Sequence, residues 1–154
     1  MNNVKELQTI DETLKYLQFD NWEQSKPGLS RSYELLGLLG NPQEKLKFVH
    51  IAGTNGKGST AAMLASVLQS AGYRTGLYTS PHLLRFHERM RVCGREIDDN
   101  SLISLTNTVR NAAESMSEMP TGFEIMTAIA FLYFVQEQCD IVALEVGLGG
   151  RLDS

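Results

Sequence analysis

The sequence predicts an α/β fold, a mostly parallel sheet flanked by helices. Three observations carry that prediction. Residues 48–52, "FVHIA", form a short apolar run bounded by glycine, which is the pattern of a buried strand. A helical stretch over 57–71 follows, with Met63, Leu64, Val67 and Leu68 at helical spacing, and a second strand-like run covers 74–79. Strand, helix and strand in that space make a βαβ unit, whose two strands run parallel. A third apolar run, "DIVALEV" over 140–146, reads as another buried strand.

The remaining elements follow in order. Val4, Leu7, Ile10, Leu14 and Leu17 recur at steps of three and four, which predicts an amphipathic helix. A turn-rich stretch around "SKPG" leads into a second helix over 30–39, stopped by Gly40 and then Asn41-Pro42. Gly72 suits the C-terminal cap of the helix over 57–71. "RMRVCGREI" is a small extended excursion turning at Gly94-Arg95. Asp98, Asp99, Asn100 and Ser101 offer N-caps for a helix reaching about Ser117. Residues 124–138 are apolar nearly all round and predict a buried helix. The strand over 140–146 is expected to be central, with its far side left uncovered. The chain shows no internal repeat and no low-complexity tract.

Bulk properties narrow the function classes. A chain of 154 residues is enough for one domain with a real core. It is 42% hydrophobic and 21% charged, ordinary for a soluble globular protein. The net charge of -4 gives no electrostatic reason to expect nucleic acid. The polar start, "MNNVKELQTIDE", does not look like a secretory signal. The longest apolar run, over 125–135, is too short to span a bilayer. Cys93 and Cys139 do not make a disulfide framework, so a reducing cytosol is the expected setting.

The turn after the first strand carries the chemistry. "GTNGKGS" places Gly53, Gly56, Lys57 and Gly58 between a strand and a helix. Glycines let the backbone approach an anion, and the first N–H groups of a helix lack internal partners. Together they make a phosphate cradle of P-loop type, with Lys57 reaching toward the β- and γ-phosphates. The usual G-x-x-x-x-G-K-[ST] pattern is met only in part. Ile51 stands where the first glycine belongs, and Gly58 where the hydroxyl belongs, with Ser59 and Thr60 just after. A plain βα turn with a solvated lysine is the other reading of this stretch. If Gly58 replaces the hydroxyl that usually holds Mg²⁺, the metal needs a ligand from elsewhere.

In a parallel sheet the C-terminal strand ends share one edge, where ligands bind. The first strand ends at the glycine turn, the second at Ser80 and the third at Glu145. An apolar strand finishing in an acid is a place to hold a nucleotide's magnesium. A solvated carboxylate, or one paired with Arg151, is the other reading of Glu145. Ser80 before Pro81 equally starts a turn. His82 and His87 read as packing or surface residues. Arg85, Arg89 and Arg91 are either an anion grip or a solvated basic loop. "TGFE" starts a helix, with Phe123 in the core on the plain reading.

In this order, "GTNGKGS", "YTSPHL", "RxxERxRV" and "LEVGLGGRLD" resemble folylpolyglutamate synthase and the bifunctional dihydrofolate synthase, of the wider Mur ligase group. The glycine-lysine loop is shared by the wider group; "TSPHL" followed by "EVGLGGRLD" is specific to the folate branch. The resemblance covers the whole chain but only the first part of the longer family proteins. It implies that residues 1–154 are the N-terminal part of an incomplete Mur ligase-like ATPase domain, with the C-terminal domain absent and the chain alone inactive. It implies an ATP-dependent ligase of folate biosynthesis that joins L-glutamate to folates, and to dihydropteroate, through an acyl phosphate. Asn55, Gly56, Lys57, Gly58 and Ser59 would hold ATP, with Lys57 catalytic and Ser80 and Glu145 as Mg²⁺ ligands. Thr121, Gly122, Phe123 and Glu124, with Leu152, Asp153 and Ser154, match the positions lining the pterin pocket. The expected protein is cytoplasmic and, when full length, a monomer with no membrane or nucleic-acid partner. Two other readings stand beside this one: a nucleotide-binding module without ligase activity, and another Mur-type ligase acting on a cell-wall precursor.

Overall fold

The computed structural model describes residues 6–18 and 28–147. Five strands form one sheet in the order β1-β5-β2-β3-β4. They are β1 (Phe48–Ile51), β2 (Thr75–Tyr78), β3 (Met90–Val92), β4 (Arg95–Glu96) and β5 (Ile141–Glu145). The helices are α1 (Ile10–Gln18), α2 (Ser30–Leu38), α3 (Lys57–Ser70), α4 (Asp99–Ala113) and α5 (Gly122–Gln136).

β1 and β2 run parallel, as the βαβ spacing predicts, but they are not neighbours. β5 lies between them and is parallel to both, with Phe48 opposite Val142 and Thr75 opposite Ile141. β5 is therefore central, yet both of its edges are paired. Among the described residues the edge strands are β1 and β4, so the uncovered side expected on β5 is not found there. β3 and β4 extend the other end as an antiparallel hairpin.

Side chains alternate across the strands and separate two cores. Val142 and Tyr78 face a large core built by α1, α2, α4 and α5, with Phe134, Ile129, Leu102 and Val109 fully buried. Ala143 and Ile51 face α3 through a small cluster around Ala61. Among the described residues α3 is the helix on that face, and its outer residues Met63 and Val67 are exposed.

Local chemistry sets the element ends. Thr9 and Glu12 cap each other reciprocally, so α1 begins at Ile10. The hairpin turns at Cys93-Gly94, one residue earlier than expected. Cys93 (φ 48°) and Gly94 (φ 77°) both adopt left-handed backbone, which a two-residue hairpin needs, while Arg95 pairs with Val92 in the ladder. Asp98 accepts from the Ser101 N–H and caps α4. α4 ends before Ser117; Ser115 turns its hydroxyl back onto the Ala112 carbonyl, a bond that competes with helix continuation. α5 is buried on nearly all sides, as its composition predicts.

Candidate functional site

The three parallel strands end at one edge, and the glycine turn, Ser80 and Glu145 come together there. Beyond β1, Gly56 (φ 75°) takes the left-handed conformation that starts α3. Asn55 and Ser59 lie exposed on either side of it. The Lys57 ammonium folds back and donates to the Gly53 carbonyl at 3.0 Å, closing the loop over itself.

Opposite the first turn of α3 stands Glu145, at the end of β5 and only 7% exposed. A Cβ on Gly58 would lie 3.3 Å from one Glu145 carboxylate oxygen and 3.5 Å from the other. The missing side chain at position 58 thus lets a buried carboxylate approach the helix N-terminus, where the macrodipole favours negative charge. The same carboxylate accepts from the Ser80 backbone N–H at 2.9 Å. Gly58, Ser80 and Glu145 meet within contact distance, although they come from three separate segments.

The segment after Ser80 is firmly held. Glu88 accepts the N–H groups of Leu83, Leu84 and Arg85 at 2.9, 3.0 and 2.9 Å. Those bonds hold its carboxyl below the usual range, the Leu83 bond most of all. Arg89 is buried, which lowers its pKa, and its Nε donates to His82 Nδ1 at 2.9 Å. Burial first, then the Arg89 charge, lowers the His82 pKa. Arg85 and Arg91 both reach Glu96. The basic segment is thus mixed: Arg85 stays largely exposed while sharing Glu96 with Arg91, and Arg89 lies in the interior.

The start of α5 reaches the same edge. Phe123 packs on Gly147, just past β5, and its ring centroid lies 6.4 Å from that of Tyr78 at the end of β2. Thr121 and Glu124 form a capping box. The Glu124 carboxylate is buried and faces inward, bound to Arg31 and Ser32 of α2. Neither α2 residue is visible as a partner in the sequence, since each lies more than 90 positions away from Glu124. Leu152, Asp153 and Ser154 lie outside the described residues, as does Arg151.

No family model matches the chain. A dihydrofolate synthase/folylpolyglutamate synthase of Bacillus subtilis is 48% identical over 134 residues, 84% of this chain and 31% of that protein. The chain belongs to the folylpolyglutamate synthase/dihydrofolate synthase family. The solved folylpolyglutamate synthase of Thermotoga maritima superposes with a TM-score of 0.87 at 45% identity, covering 94% of this chain and 34% of that one. A bifunctional folylpolyglutamate synthase/dihydrofolate synthase from Yersinia pestis, complexed with AMPPNP and a Mn ion, gives 0.86 at 35% identity, covering 98% and 37%. The chain spans about a third of the length of the folylpolyglutamate synthases it matches. Over that span, the α/β fold expected from the sequence is theirs.

Proposed function

We propose that the protein is an ATP-dependent ligase that adds L-glutamate to folates and to dihydropteroate, and that residues 1–154 are the N-terminal part of its ATP-binding domain. The observation that carries this is the meeting of Gly58, Ser80 and Glu145 at the N-terminus of α3.

Asn55, Gly56, Lys57, Gly58 and Ser59 would hold the ATP phosphates through backbone N–H groups and the Ser59 hydroxyl. Lys57 would leave the Gly53 carbonyl and turn to the γ-phosphate, neutralising charge as it develops. The γ-phosphoryl group passes to the carboxylate of the acid substrate and ADP leaves. The glutamate amine then attacks the acyl carbon, loses a proton and expels phosphate. This chemistry rests on positioning and charge neutralisation more than on covalent work by the protein.

The edge also fits a divalent cation. A phosphate at the α3 N-terminus would stand beside the buried Glu145 carboxylate, and two such anions need a cation between them. Ser80 and Glu145 supply hard oxygen donors, and few protein ligands suit Mg²⁺, which keeps several waters and phosphate oxygens. When bound, Mg²⁺ supplies neutralisation of the phosphate oxygens. Among the described residues no group of three His, Cys, Asp or Glu side chains gathers to hold a metal. Thr121, Gly122 and Phe123 would line the pterin side, with the buried Glu124 holding their turn from behind; Leu152, Asp153 and Ser154 are assigned to the same pocket by the resemblance alone.

No helix among the described residues is long and apolar enough to cross a membrane. Two free cysteines support a cytoplasmic setting. The test is phosphate release by the intact protein with ATP, Mg²⁺, L-glutamate and either tetrahydrofolate or dihydropteroate. Release that depends on both glutamate and the pterin acid is expected. Nucleotide binding without such release leaves a nucleotide-binding module and sinks the ligase.

A further inference from the structure

We infer that Arg31, on α2, is a positioning residue for the edge formed by Thr121, Gly122 and Phe123, acting through Glu124. The inference rests on the pterin side of the reading above. Arg31 is buried, and its guanidinium reaches two carboxylates: Nε meets Glu124 at 3.1 Å and Nη1 meets Glu118 at 3.5 Å. Those two acids bracket the segment 118–124, so one rigid fork holds both ends of the turn that carries the site residues. Ser32 adds a hydrogen bond to the other Glu124 oxygen at 3.1 Å. The Thr121 N–H donates to the first at 2.6 Å.

A carboxylate has about four acceptor positions, and three are filled here by protein donors. The Glu124 side chain is 3% exposed. It is therefore not the group that meets a ligand. Its work is to fix the first turn of α5, from which the adjacent Phe123 points to Gly147 and Tyr78 at the strand ends. α2 thereby reaches the site without touching it. A lysine cannot reproduce this, since it has a point charge and no planar fork.

The test uses the intact protein with Arg31→Lys, Glu124→Gln and Ser32→Ala, and Val109→Ala as a core truncation on α4. The probes are 7,8-dihydropteroate, followed by its own fluorescence, and Mg·ADP, followed by calorimetry. Circular dichroism establishes which variants are folded at the working temperature. Arg31→Lys and Glu124→Gln should weaken dihydropteroate by about tenfold or more, in the range of lost outer supporting contacts, and leave Mg·ADP unchanged. Ser32→Ala removes one hydrogen bond and no charge, so it keeps the test open if the others do not fold; about threefold weakening is expected. Val109→Ala should move neither ligand. Folded variants at position 31, 124 or 32 that hold dihydropteroate as tightly as the wild type overturn the inference. So does equal loss of both ligands in all four variants, which would mark a general stability effect. A wild type that takes Mg·ADP but no dihydropteroate removes the pterin reading itself, and this inference with it.

Discussion

Replacing Gly147 by alanine tests the packing of the site edge. A Cβ at that position would lie 2.4 Å from Phe123 Cζ and 2.8 Å from Cε2. Carbon atoms rest at about 3.5–4.0 Å, so the ring has to move by more than an ångström. The backbone itself accepts alanine, since Gly147 is not among the glycines with positive φ. Overpacking of this kind costs about 1–3 kcal/mol. Against it stands the lower entropy of an unfolded chain with alanine, about 0.4–1 kcal/mol. A net loss of about 1–2 kcal/mol remains, which for a chain of this size lowers Tm by about 2–8 °C. Thermal melts followed by circular dichroism read the change directly. The cause is isolated by a cycle with Phe123→Leu, whose smaller side chain vacates the contested space. The double variant should be more stable than the sum of the single losses allows, with a coupling of about 0.5–3 kcal/mol. A Gly147→Ala variant with unchanged Tm, or strict additivity in the cycle, would refute the claim that the Phe123 ring occupies this space.

Other perturbations probe separate parts of the molecule. Lys57→Ala in the intact protein should lower kcat by about 100-fold or more while barely changing KM for the pterin acid, because the ammonium acts on charge that grows during transfer; steady-state kinetics that show normal kcat would return Lys57 to a solvated role. Burial pushes the Cys139 thiol up to about 12, so at pH 8 it should resist Ellman's reagent in the native protein and react only after denaturation, and prompt labelling of Cys139 would contradict its placement. Asp98 has a lowered pKa, chiefly from the Ser101 N–H, so its folded form prefers the charged state. That stabilisation is present above the unfolded carboxyl pKa and is lost as pH falls through the folded one. Asp98→Asn should therefore flatten the acid limb of a urea-midpoint profile below about pH 4, and a parallel limb would rule out the cap as its source.

Much of the site was legible because its parts are local. Gly53 to Ser59 announce a strand, a turn and a helix within one stretch, and "DIVALEV" ends in its acid. Ser80 follows its strand directly. What the sequence could not convey is pairing over distance. Nothing in residues 48–78 shows that β5 comes between β1 and β2, since the ladder partners of Phe48 and Thr75 lie in residues 141–142. Arg31 looks like any polar residue of a surface helix until Glu124 arrives from across the core. The hairpin turn slipped by one residue because a left-handed cysteine is sterically unusual, and only the ladder at Val92 and Arg95 requires it. The outer side of α3 likewise gives no sign in its apolar spacing that Met63 and Val67 stay in solvent.

The insertion of β5 between β1 and β2 has a kinetic meaning. The first two parallel strands have no partner in each other; β2 can pair early with β3, but β1 and the other edge of β2 wait for a segment that is made much later. Closing such long loops is entropically slow, and sheets dominated by distant pairings form late. Until β5 enters, β1 and β2 present bare backbone on the flanks of an empty slot. Glu145 rides on the arriving strand, so the carboxylate reaches Ser80 and the α3 terminus in the same event that completes the sheet. A chain caught short of that event has its glycine turn but no acid beside it. Refolding monitored by hydrogen exchange should then show the amides of the β1–β5 and β5–β2 ladders gaining protection together, after those of α4.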